Sequence, residues 1–114
     1  MNPLFAVALA FTSLFHTALM SSIPARNAAV HAPTSVSLTF TEAVNVNLTT
    51  IALTKTDSTV VEALMVAKGA PAATVTAAVT KPLAPGKYLV KWKTAADDGH
   101  VVRGVIPFTV IAGK

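Results

Sequence analysis

At 114 residues the chain has room for one domain with its own core. Without a single cysteine it excludes disulfide frameworks, thiolate metal sites and cysteine nucleophiles. It is 53% hydrophobic and only 12% charged, an apolar balance made largely of Ala and Val and inflated by residues 1–20. Nine basic against five acidic residues give a net charge of +4, but the basic residues are scattered between Arg26 and Lys114 with no run. That pattern fits a modestly basic surface, not a nucleic-acid module.

Residues 3–15 (PLFAVALAFTSLF) are apolar and uncharged. They have the length of a secretory apolar core, about 7–15 residues, and fall short of a membrane span of about 20. No basic residue precedes this stretch, and Ala8-Leu9-Ala10 supplies a small-x-small cleavage signal with a mature start at Phe11. The expected division is a signal-like segment over residues 1–15 and one exported domain over residues 16–114.

Beyond Pro24 short β patterns follow one another. In residues 35–41 (SVSLTFT) Val36, Leu38 and Phe40 share one face and Ser and Thr the other, the period of a half-buried strand. Residues 48–54 and 60–66 are further β-rich runs joined by a turn at Lys55-Thr56-Asp57-Ser58. Lys68-Gly69-Ala70-Pro71 breaks the pattern and residues 74–80 resume it. Pro82-Leu83-Ala84-Pro85-Gly86 is a turn signal. It delivers residues 87–93, with Tyr88, Val90 and Trp92 inward and Lys87, Lys91 and Lys93 outward. A last strand over residues 102–111 puts Ile106, Phe108 and Val110 on one face, and Pro107 within it calls for an edge or a bulge. With no sustained helical period, the fold expected is an all-β, Ig-like Greek-key sandwich of about seven strands.

The inventory of chemistry-bearing side chains is short: two Glu, three Asp and three His. Asp98 and His100 stand two apart, which in an extended segment puts a carboxylate and an imidazole on one face, half of a metal site. Those donors suit Cu(II), Zn(II) or Ni(II). Asp97 falls on the opposite face and reads as a solvated turn residue, and His31 as a surface histidine in the loop before a strand. Trp92 reads as core, and Asn47-Leu48-Thr49 is a three-residue match to a glycosylation acceptor of the kind chance supplies.

The stretch from Pro82 to Val110 resembles the C-terminal half of the CopC copper-resistance family. Pro82-x-x-Pro85-Gly86-x-Tyr88-x-Val90-x-Trp92 is followed by Asp98-Gly99-His100, then Gly104 and Phe108-x-Val110. Ala96 stands where the family has Ser. Upstream, Leu38-Thr39-Phe40-Thr41-Glu42 is similar to the family's L-x-F-S-E, and Leu19 to Pro24 to its opening L-x-S-S-x-P. The resemblance implies a periplasmic β-sandwich that carries copper without catalysis and deals with a separate membrane copper transporter. It implies a Cu(II) site made of an N-terminal histidine, acting through its amine and ring, with the Asp and His of D-G-H. These positions map onto His16, Asp98 and His100, with Glu42 as the acidic residue beside the metal end. The sequence departs from the family at Ala18, where many members carry a second His, and in Met65, which stands alone where some members have a Met-rich Cu(I) loop. The amine of His16 is available only if cleavage falls after Phe15. The competing readings are a sandwich that has lost its metal and, with its reactive centre on the same kind of His chelate, a copper-dependent oxidative enzyme.

Overall fold

The computed structural model describes residues 17–96 and 99–113. The signal-like segment, His16, Asp97 and Asp98 lie outside the described residues. Among the described residues nine strands form two sheets: β1 (Leu19–Ile23), β2 (Ala29–Val30), β3 (Ser35–Phe40), β4 (Thr50–Lys55), β5 (Val60–Leu64), β6 (Val66–Lys68), β7 (Thr74–Ala78), β8 (Gly86–Ala95) and β9 (Val101–Val110). One sheet has the order β1-β3-β7-β6, the other β2-β9-β8-β4-β5. The chain passes between sheets after β1, β2, β3, β5 and β7, the Greek-key pattern of Ig-like sandwiches.

The period-two patterns are the core. Val36, Leu38 and Phe40 from β3 meet Tyr88, Val90 and Trp92 from β8 and Ile106, Phe108 and Val110 from β9, all buried. The turn ahead of β8 is closed by the Tyr88 hydroxyl, which donates to the Ala84 carbonyl at 2.7 Å. This is the corner by which such sandwiches fix a buried tyrosine to backbone a few residues upstream.

Three expectations change. Residues 60–66 are not one strand: the chain leaves β5 at Met65, 87% exposed, and enters the other sheet as β6. From Ala63 to Ala67 the run is continuously apolar, so neither alternation nor a turn residue marks the crossing. Residues 48–54 begin instead with a 3-10 turn, Val46–Leu48, capped by the Asn45 side chain, which accepts from the Asn47 amide at 2.9 Å. The strands β1 and β2, too short to show a period, bring the number among the described residues to nine beside the about seven expected. Pro107 sits where its missing N–H does no harm. Its carbonyl accepts from the Asn27 amide at 2.7 Å on the side away from β8, and a strand residue's N and C=O point the same way.

Glu62 ties the two sheets at one edge. Paired with the buried Leu53, it points inward from edge strand β5, and its carboxylate accepts from the Thr80 hydroxyl and from the amides of Thr80 and Lys81. The Thr80 hydroxyl, then the Lys81 and Thr80 amides, hold its carboxyl below the ordinary value of 4.5. A carboxylate with a depressed folded value stabilises above the unfolded value, and that stability is lost as the pH falls through the folded one. Glu62→Gln is therefore expected to melt below wild type at pH 7. The gap should close as the pH drops below 4.5. Thermal unfolding across that range checks it, and a gap independent of pH would remove the carboxylate from the account.

Candidate metal centre

The hairpin between β8 and β9 carries the C-terminal half of the candidate site. Its last paired residues are Ala95 and Val101. The loop turns on a bond from the Gly99 amide to the Ala96 carbonyl at 2.9 Å, with Gly99 at φ 85°. That is the left-handed region, which glycine enters without the Cβ penalty. Gly99 thus departs from the extended backbone that the same-face expectation for Asp98 and His100 presumes of this loop. His100 is exposed at its end, directly before β9, while Asp98 lies outside the described residues. Ala96, in the place of the family's Ser, is buried.

Two other segments converge on this end. Thr41, just past β3, accepts through its hydroxyl from the Ala18 amide at 3.0 Å and donates its own amide to the Ala18 carbonyl at 2.8 Å. The pair fastens the residues that follow His16 beside Glu42, which is exposed. The loop then crosses to the hairpin base, where the Asn45 amide donates to the Ala95 carbonyl at 3.0 Å. Beneath it, the Thr49 hydroxyl donates to the Asn45 carbonyl at 2.7 Å and lies 2.6 Å from the Thr94 hydroxyl. Because Thr49 has spent its only proton, Thr94 is the donor of that pair. Both threonines are buried, so the network is shielded from water and holds the loop to β8 one residue before the hairpin begins.

The structure thus brings the start of β1, the Glu42 loop and the His100 hairpin to one end of the sandwich. Among the described residues no group of three or more His, Asp or Glu side chains is gathered for a metal; His16 and Asp98 fall outside them. His31 follows β2, whose partner is Val110, so it sits at the far end of β9 from His100, about 30 Å of strand away. Sequence reading missed Thr41, Asn45, Thr49 and Thr94; only Thr41, inside the L-x-F-T-E stretch, had a signal there.

The Trp92 ring meets Phe40 edge-on at 5.2 Å and packs closely on Gly104, its partner on β9, and its indole N–H is buried with no hydrogen-bond partner among the described residues.

The profile of the CopC domain matches residues 19–111. The chain is 37% identical over 112 residues to Copper resistance protein C of Xanthomonas campestris pv. juglandis, covering 92% of this chain and 88% of that protein. It is 33% identical over 109 residues to Copper resistance protein C of Escherichia coli, covering 90% and 86%. The crystal structure of CopC from Methylosinus trichosporium OB3b superposes with a TM-score of 0.76 at 29% identity, covering 83% of this chain and 93% of that one. That of PcoC, a methionine-rich copper resistance protein from Escherichia coli, does so at 0.71 and 32%, covering 84% and 99%. With a profile match over nearly the whole described chain and the same sandwich, this protein belongs to the CopC family.

Proposed function

We propose that this chain is a copper-binding protein of copper resistance, a non-catalytic carrier that holds Cu(II) in the periplasm and exchanges it with a separate membrane transporter. The ligands are the amine and ring of His16, the Asp98 carboxylate and the His100 imidazole, with Glu42 acting on them from beside the site. The observation that carries the reading is the convergence at one end of the sandwich. Paired bonds between Ala18 and Thr41, and the Asn45 bond to Ala95, bring the approach of His16, the Glu42 loop and the D-G-H hairpin together. Amine, imidazole and carboxylate form the nitrogen–oxygen set that Cu(II) takes in tetragonal geometry. Each must be deprotonated to bind, so copper and protons compete for the site.

The test is a Cu(II) titration of the exported protein followed by electron paramagnetic resonance, with His100→Ala alongside. Wild type is expected to give a tetragonal signal at one equivalent. The substitution should weaken binding by more than the about 10–100-fold that loss of a supporting partner costs. A wild-type spectrum of free copper, or one unchanged by His100→Ala, would remove the carrier reading. Oxygen consumption by the copper-loaded protein with a reductant is expected to stay at the level of free copper, and turnover above it would favour an oxidative enzyme.

A further inference from the structure

Strand β9 is ten residues long but is covered on its outer side only in part. The Asn27, Ala28 and Val30 backbone bonds to Pro107, Thr109 and Ile111 show that its odd-numbered residues turn their N–H and C=O groups away from β8. Along Val101–Val105 no strand of the described residues lies beside that outer side, since β2 pairs only with Thr109 and Val110. Among the described residues the single group on it is the Arg26 guanidinium, which donates to the Val105 carbonyl at 3.0 Å. A cleft of about 650 Å³ separates this edge from β1, lined by Leu19, Ser22, Arg26, Trp92, Arg103 and Val105 among others. Natural sheets cover or shorten such edges, because an unpaired row of backbone groups is a template for another strand.

The side chains around the edge select what can pair there. Arg103 is exposed at its centre and lies directly across from Lys93, with Lys91 beside Val105 on the same outer face. Like charges directly opposed across strands are unfavourable, and β4, β8 and β9 hold no Asp or Glu to relieve them. A second copy pairing antiparallel about Arg103 would set arginine against arginine. An acidic strand would instead place alternate carboxylates against Arg103 and within reach of Lys93.

We propose that the open edge of β9 at Val101–Val105 takes up an extended acidic segment of a partner protein as an added strand. Val101 follows His100 directly, so the segment would end beside the copper hairpin; its role in copper transfer rests on the carrier reading above, whereas strand addition does not.

The experiment uses the metal-free protein, so that its failure leaves the copper titration untouched. A synthetic nine-residue peptide of alternating Thr and Asp, and its Thr-Lys counterpart, are titrated while backbone amide shifts and exchange rates are recorded. Expected are saturable shifts and slowed exchange at Val101, Arg103 and Val105 with the Asp peptide alone. Arg103→Glu should weaken binding about tenfold or more by reversing the charge. Val105→Pro removes one outward N–H as Pro107 already does further along, keeps every charge, and should abolish the slowed exchange. Binding by Val105→Pro equal to wild type, or shifts spread over all the lysines, would overturn strand addition. So would vesicles of phosphatidylglycerol binding where the peptide does not, or concentration-dependent shifts at β9 without peptide, which would assign the edge to a lipid surface or to a second copy.

Discussion

Replacing Gly104 by alanine is expected to destabilise the fold by about 2–3 kcal/mol, the upper part of the range for overpacking a core. A Cβ at this position would lie 2.6 Å from Cζ2, 2.8 Å from Cε2 and 2.9 Å from Nε1 of Trp92. All three belong to one rigid ring, so no flexible side-chain end is there to yield. The ring is also confined by Phe40, 1% exposed, which meets it edge-on. For a domain of this size the loss corresponds to a drop of roughly 10–20 °C in the melting midpoint. A change under about 0.5 kcal/mol, the size of an ordinary surface substitution, would show that the sheet bends to admit the methyl group. Trp92→Phe supplies the control. It removes the atoms that a Cβ would strike and also an indole N–H buried without a partner among the described residues, a group that costs about 1–3 kcal/mol to leave unsatisfied. The two substitutions together should thus cost less than their sum, with a coupling of about 0.5–3 kcal/mol.

That Gly104 and Trp92 form one unit also marks what could be read in advance. Tyr88, Val90 and Trp92 alternate with Lys87, Leu89, Lys91 and Lys93, and Ile106, Phe108 and Val110 with smaller or polar residues, because one face of each strand meets the core and the other meets water. Wherever a strand has one wet and one dry face, period two is written into its residues, and β3, β8 and β9 were legible for that reason. The crossing at Met65 was not, since an apolar run keeps its character while the chain changes sheets. Nor was the loop that supports the metal end. Thr49 and Thr94 meet across 45 positions of sequence, and a hydroxyl pair carries no local signature of its partner. The D-G-H motif is legible as a pattern, while Asp98 lies outside the described residues. Spacing of two implies a shared face only on extended backbone, a premise that Gly99 at φ 85° does not meet. The residue type was the warning, because glycine inside a short loop is where the chain leaves extended conformation.

The second large effect is expected at the other half of the site. A protein beginning at His16 should bind Cu(II) more than about a hundredfold more tightly than one carrying a single glycine ahead of it, beyond what loss of a supporting partner alone costs. In the first, the terminal amine and the imidazole of one residue close a chelate on the metal, while in the second the amine is an amide nitrogen and only the ring is left. The effect should be pronounced here, because Ala18 stands where many family members keep a second histidine, so no neighbouring ring can replace the amine. The Ala18–Thr41 bonds give the comparison its leverage: they fix the backbone two residues past His16 in both proteins, so the added glycine changes a ligand and leaves the anchorage intact. Competition titration against a chelator of known copper affinity would measure the difference, with intact mass of the exported protein reporting which of the two starts the cell makes. Equal affinities would move the copper to the ring of His16 with Asp98 and His100. In that case cleavage after Ala10, which leaves Phe11 at the start, would serve as well as cleavage after Phe15. If the difference is found, the position of the cut decides whether the site exists, and the D-G-H hairpin alone does not.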